Sequence, residues 1–460
     1  MLTSPNEDSR HTKRVQLREI LLFFVLLTCF AYFFPRWADW NQNSRFDLVL
    51  ALVDDHTVTI DRYVANTGDY AYRDGHYYSD KAPGMALLGV PVYAAFRALL
   101  PAAITARLQE VASNDALHAT LRKDGDGLQP GRMYFFVALM TTTFLVVAVP
   151  SALLGVIFFR VAHHLGLGER QSLLAALLYA LATNAFPYAN AFVGHQTSAC
   201  LLFGAFALLF AIRRGAFRRS WLPAVGFLLG YAAITEYPTV LIGTLLGLYA
   251  LFALDRRLTT LLYLVGGALP PLLALAVYDY VAFGTVLPVG YLHSALWQDV
   301  HQTGFLSLTH PQPGALWGIT FSPHRGLFFL SPFLLFAVPG YVTLWRQRAH
   351  RGEFWVLLLA PLSFLLFNAS SAMWQGGFAV GPRYLVPSLP FLALVAGVGL
   401  AGAWSARSCV QSRCSLSSGL TSLSGRRPLP DSPSRTIPPI RSSISACHIW
   451  WQGTSPGTSA

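Results

Sequence analysis

The chain has 460 residues, 54% of them hydrophobic and 12% charged, with a net charge of +11. A soluble domain carries about 25% charged residues; half that share, with a mean hydropathy of +0.45, leaves too little polar surface for a water-soluble globule. Composition therefore excludes a soluble protein, and the positive charge points to loops facing anionic lipid rather than to nucleic acid.

The apolar runs are helix-length and continuous, not alternating ten-residue segments, so a β-barrel is excluded and an all-α polytopic membrane protein remains. Residues 1–18, with Lys13, Arg14 and Arg18, read as a cytoplasmic N-terminus in the cell membrane. No small-residue cleavage site follows Ile20 to Phe34, so 19–35 reads as the first transmembrane helix rather than a signal.

Residues 36–132 follow as one long segment containing the apolar run 84–104. Further runs lie at 133–159, 171–190, 196–212, 221–236, 238–254, 258–283, 326–345, 353–368 and 385–404. The connections bearing Arg160 and Arg170, then Arg213, Arg214, Arg218 and Arg219, then Arg256 and Arg257, then Arg346, Arg348 and Arg351 are basic. If 84–104 spans, all four fall outside, against the positive-inside rule; if it lies on the outer surface or is re-entrant, all four fall inside. Pro91, Arg97 and Pro101 suit the second reading. About ten transmembrane helices result, with 36–132 as a long outer loop with interfacial helices and 133–404 as the remaining bundle.

The outer loop is rich in carboxylates: Asp47, Asp54, Asp55, Asp61, Asp69, Asp74 and Asp80. Its stretch from Phe46 to Val53 is amphipathic enough to lie along the membrane surface, and Gly75 to Tyr78 and Ala82 to Gly84 read as turns. Lys81, just before the 84–104 run, sits at headgroup depth, where a point charge holds a lipid phosphate; ordinary snorkelling is the alternative. His195 and Gln196 stand at the outer mouth of a helix, and Glu236 in "ITEYPT" stands between two helices. In residues 370–390, "SSAMWQGGFAVGPRYLVPSLP", Trp374 offers a stacking face and Arg383 a planar fork for phosphate, while "FSPHRGLFFLSP" adds His324 and Arg325. Cations from separate loops beside carboxylates on one face suit a phosphate-bearing substrate next to a general base.

Cys29 and Cys200 lie in apolar runs as packing residues, and no Cys/His spacing for a metal exists, so neither metal nor cofactor is expected. From Ser405 to Ala460 the composition turns to Ser, Pro and Arg, with Cys409, Cys414 and Cys447, and reads as a disordered tail or a frameshifted end.

These motifs, in this order, resemble the GT-C class of multi-spanning glycosyltransferases, in the bacterial branch similar to protein O-mannosyltransferases and lipid A aminoarabinose transferases (family 39-like). The resemblance covers about residues 15–403 and rests on a first helix with a long outer loop, then "YYSDKAPG", "SPHRGLFFLSP" and "WQGGFAVGPRYLVPSLP". It implies an enzyme that moves a sugar from a polyprenyl-phosphate donor to a lipid, glycan or protein acceptor on the outer face, with inversion. A loop carboxylate would deprotonate the acceptor, Lys81 would contact the lipid phosphate, and Arg383 would be a second contact. The family's first loop opens with an acidic pair before an Arg-aromatic; here Gln42 and Asn43 stand ahead of Arg45 and Phe46, and no amide is a base. The role then falls to Asp47 first, Asp69 second, with Asp61 behind them. Two other classes compete: a transporter or flippase of a lipid-linked or anionic substrate, and a non-catalytic membrane protein. A transporter would carry internal repeats and charges at mid-membrane; no internal repeat is seen.

Overall fold

The structure, a computed structural model, describes residues 5–33, 39–110, 131–301, 303, 304 and 307–404. The tail from 405 and residues 111–130 of the expected outer loop lie outside the described residues. The helices are α1 Pro5–Tyr32, α2 Trp40–Leu50, α3 Gly84–Leu99, α4 Ala102–Glu110, α5 Arg132–His164, α6 Glu169–Leu181, α7 Gly194–Arg213, α8 Leu222–Thr235, α9 Tyr237–Ala253, α10 Arg257–Phe283, α11 Ala337–Arg346, α12 Arg348–Ser370 and α13 Arg383–Trp404, with shorter turns between them.

The architecture is that of a helical polytopic membrane protein. Among the described residues, α5, α7, α10, α12 and α13 are long and apolar enough to cross a membrane; the pair α3 and α4, bent by 102° at its break, makes up to six. Ten such runs were expected. The run 171–190 stops as helix at Leu181, and 326–345 is broken at Ser331 and Pro332, leaving α11 only 10 residues long. Proline ends or kinks a helix because it lacks the N–H and clashes with the preceding turn. α10 shows what lipid exposure looks like: Leu258, Leu262, Val265, Leu269, Leu273 and Val277 form an outward stripe at helical spacing. Its other face packs on α8 through small residues. The Leu264 carbonyl lies against Gly226 and the Pro223 carbonyl against Gly267, an approach that any Cβ would block.

Contacts between side chains and backbone divide the bundle into two ends. At one end Glu19 receives Arg160 at 2.8 and 2.6 Å, Arg18 pairs with Glu169, and Arg214 donates to His164 O at 3.2 Å. Arg213 pairs there with the buried Glu353, and Arg219 donates to Asp255 O at 2.6 Å. The four basic connections thus gather together with Arg18 and Glu19 of α1. α7 runs from His195 at its first turn to Arg213 at its last, so its 20 residues separate the two ends by about 30 Å.

At the other end the segment between α1 and α5 folds over the bundle. α2 begins at Asp39, whose carboxylate accepts the N–H groups of Asn41 and Gln42 at 3.0 and 3.3 Å, a good N-cap. The stretch from Gln42 to Ala51 is buried on every side, so Phe46 to Ala51 is enclosed by protein rather than laid on the membrane surface, and Leu52 and Val53 are partly buried. The expected turn at Gly75 to Tyr78 is a hairpin instead. Ala71–Arg73 (β1) pairs antiparallel with His76–Tyr78 (β2) around Asp74 (φ 52°) and Gly75 (φ 86°). An Asp-Gly pair with both φ positive is the two-residue turn whose twist matches a hairpin. A bridge from Ala71 to Ser294, and the Ala295 N–H to Tyr70 O at 3.0 Å, stitch the 284–301 loop onto this hairpin.

Candidate functional site

The polar residues of this end converge on one cavity of about 530 Å³, lined by Asp39, Asn41, Arg45, Asp69, Lys81, His195, Glu236, Tyr291, Trp297, Phe378, Arg383 and Tyr384 among others. A second cavity of about 580 Å³ adjoins it and shares Asp39, Asn41, His195, Phe378 and Arg383 with it. The second has an apolar floor of Phe30, Phe33, Phe186 and Val193 at the C-terminal end of α1.

Arg45 organises the first cavity. Its guanidinium donates to Glu236 Oε1 at 2.8 Å, to the Ala82 carbonyl at 3.2 Å and to Asn41 Oδ1 at 3.3 Å. It is 2% exposed. His195 Nδ1 stands 3.6 Å from the same Glu236 oxygen, and its ring meets Tyr188 and Tyr384 edge-on. Gly194 leaves the space that the Glu236 carboxylate fills.

Lys81 is held by two carboxylates, Asp80 at 3.0 Å and Asp69 at 3.2 Å. Burial works against its charge, yet Asp80 and Asp69 outweigh it and raise its pKa above the usual lysine value. Burial likewise opposes the Asp69 anion, but Lys81 and the Trp297 indole N–H, 3.1 Å from Oδ1, hold its carboxyl below the usual range. Ser294 completes the cluster with a hydrogen bond to Asp80 at 3.0 Å.

Arg383 is differently placed. Among the described residues it joins no salt bridge, and its buried Nε has no hydrogen-bond partner. Its guanidinium lies 5.1 Å from the Tyr384 ring centroid and donates to that hydroxyl at 3.3 Å. It is the cation of the cavity with room for an anionic ligand. Gly376, at φ 68°, passes over it: a Cβ there would stand 3.1 Å from Arg383 Cγ and Nε.

Of the residues singled out from the sequence, Lys81, Asp69, His195, Glu236 and Arg383 line the first cavity, and Arg325 lines the second. Asp47 is not among them. It is fully buried on the far side of α2, accepts from Asn66 Nδ2 at 2.9 Å, and leaves Oδ2 without a partner. Burial pushes its carboxyl well above the usual range. Asp61 is at the hairpin, bound to His76 at 2.7 Å and to the Tyr77 N–H. Trp374 packs against Gly318, and the cavity's indoles are those of Trp40 and Trp297. Arg325 spends its donors on the Gln375 and Gly377 carbonyls. Arg45, Trp297 and Asp39 were missed. For Asp39 a signal existed: an Asp directly before the helical stretch "WNQNSRF" is an N-cap, and the helix it starts carries Asn41 and Arg45 into the cavity.

No family model matches the sequence, and no curated protein does. Among solved structures the chain is similar to the crystal structure of ArnT from Cupriavidus metallidurans in the apo state, with a TM-score of 0.49 and 18% identity. That likeness covers 86% of this chain and 60% of that one, so the chain spans less than two thirds of that protein's length.

Proposed function

We propose that the chain is a membrane glycosyltransferase of the GT-C kind, taking a sugar from a polyprenyl-phosphate donor at the outer face. The observation that supports this most is the meeting of Arg383, Lys81, Arg45, His195 and three carboxylates around one cavity, at the end of the bundle opposite the basic connections. Electrostatic attraction to anionic lipid and the membrane potential keep the arginine-bearing end in the cytoplasm, which puts the cavity outside.

In this reading Arg383 takes the donor phosphate, since Lys81 is already compensated by Asp69 and Asp80. An acceptor hydroxyl attacks the anomeric carbon. The bond from that carbon to the phosphate oxygen breaks, and the polyprenyl phosphate leaves with the electron pair, its charge stabilised by Arg383 and by the positive edge of the Lys81 cluster. A single displacement inverts the anomeric centre. The acceptor's proton passes to a carboxylate, and Asp39 suits that role better than Asp69. Asp69 is tied to Lys81 and is thereby a weaker base, whereas Asp39 joins no salt bridge among the described residues, accepts the N–H groups of Asn41 and Gln42, and lines both cavities. Glu236, bound to Arg45, positions His195.

Membranes carrying the chain are given a labelled polyprenyl-phospho-sugar, and release of sugar from the lipid is followed. The wild type is expected to transfer, Asp39→Asn to lose at least about 100-fold, and Asp47→Asn to stay near wild type, in line with the cost of removing a positioned proton acceptor. No transfer by the wild type from any such donor would remove the proposal, and a silent Asp39→Asn beside an inactive Asp69→Asn would move the base to Asp69.

A further inference from the structure

Phe378 is 94% exposed, the most exposed large apolar side chain among the described residues. Its loop is nevertheless pinned. Residues 375–381 turn through Gly376, Gly377 and Gly381 at φ 68°, 63° and 58°. Arg325 grips the carbonyls of Gln375 and Gly377 on one flank, and the Tyr188 hydroxyl donates to Val380 O at 3.0 Å on the other. The ring is therefore presented, at the mouth where the two cavities meet, beside Arg383. Water is a poor partner for a phenyl ring, and a ring held in place there is completed by apolar ligand surface. The direction of that ligand is given by the floor of the second cavity. From Phe378 an apolar path runs past Phe186 to Phe33, which is itself outward-facing at the end of α1.

We propose that Phe378 determines specificity for the apolar chain of the ligand whose phosphate goes to Arg383. The first carbons beyond the phosphate lie across its ring, and the rest follows the Phe186 and Phe33 path toward the bilayer. The inference rests on the transferase reading for the identity of that ligand as a prenyl phosphate. It differs from it in placing discrimination between chains on one side chain that is none of the groups assigned to the reaction.

The test is binding without turnover. The full chain in lipid nanodiscs is titrated with a ten-carbon prenyl phosphate and, separately, with glycerol phosphate, using the fluorescence of cavity-lining Trp40 and Trp297. The wild type is expected to prefer the prenyl phosphate. Phe378→Ala should weaken prenyl phosphate on the order of tenfold, as loss of a substantial part of an aromatic contact implies, and leave glycerol phosphate within about twofold. Phe378→Leu should recover part of the preference. Equal effects on both ligands, or none on either, overturn the proposal. A variant that keeps its prenyl phosphate affinity overturns it too, since Phe378 would then be no more than a bilayer contact. A chain that transfers no sugar yet shows the Phe378-dependent preference retires the transferase reading alone. A chain that transfers sugar while Phe378→Ala binds both ligands as the wild type does retires this one alone.

Discussion

Arg45 and Glu236, 191 residues apart in the chain, form a buried ion pair at 2.8 Å. Through it the loop segment after α1 is fastened to the turn between α8 and α9. Because the same guanidinium also holds the carbonyl of Ala82, next to Lys81, three segments that line the cavity share one anchor.

Removing one partner strands the other charge out of water. Arg45→Ala is expected to cost about 3–5 kcal/mol, because a buried carboxylate left alone keeps its full desolvation penalty. Thermal unfolding in detergent reads it. Arg45→Met combined with Glu236→Met should recover much of that loss; a double variant as unstable as Arg45→Ala would show that the pair is not what holds the segments together.

Arg383 differs from Arg45 in joining no salt bridge among the described residues, so its loss should affect ligand more than stability. Arg383→Gln is expected to lower sugar transfer about 100-fold or more while shifting the midpoint of unfolding little. Arg383→Lys keeps the charge but loses the planar fork and should fall between. Gly376→Val tests the same residue indirectly: its side chain meets the Arg383 stem, and a β-branched residue is strained at φ 68°. A raised KM for donor with Arg383 untouched is the expected result, and normal kinetics would show that Arg383 is free to move away.

The buried carboxyl of Asp47 makes a prediction about pH. Burial raises its folded-state pKa well above the usual aspartate value. Below that usual value, about 3.9, the group is protonated in both folded and unfolded chains and costs nothing. As pH rises, the unfolded chain releases the proton while the folded chain retains it up to the raised value, and over that window folding stability falls. Asp47→Asn cannot ionise. Its stability relative to wild type should therefore increase as pH rises above about 4, measured by thermal melts at each pH. A difference that does not change with pH would mean that Asp47 is charged in the folded protein.

Sidedness is tested by cysteine labelling in intact cells, in a background with the native cysteines replaced by serine. Asp74 and Gln375 are exposed at the cavity end, and Arg218 is exposed at the basic end. Asp74→Cys and Gln375→Cys should react with an impermeant maleimide, and Arg218→Cys only after the membrane is opened. Opposite reactivity at Asp74 and Gln375 would separate the two halves of the cavity lining.

Much of this was legible along the chain, because it depends on local composition. Low charge and long apolar runs specify a membrane protein, since lipid accepts no unpaired backbone and few charges. The basic connections recur at every second turn of the path, and the structure ties them together at one end. Polar residues at the ends of apolar runs, such as Lys81, His195, Glu236 and Arg383, stood out for the same reason, and all four line one cavity.

What composition does not carry is which side of a helix a residue takes, and which distant group it meets. Asp39, Asn41 and Arg45 share the cavity face of α2, while Asp47, two residues past Arg45 and so about 200° around a 3.6-residue helix, is turned to the opposite side. Trp297 rather than Trp374 reaches the cavity because the 284–301 loop bonds to the hairpin. Lys81 is compensated by its own neighbour Asp80 and by Asp69 from the same loop segment, whereas among the described residues the fold brings no carboxylate into a salt bridge with Arg383. The amino-acid sequence by itself determined the solvent, the helices and the polar residues available for a site. Only tertiary packing decided the partners, because a buried charge is satisfied by whatever group the fold brings within about 3 Å, however far away it lies in the chain.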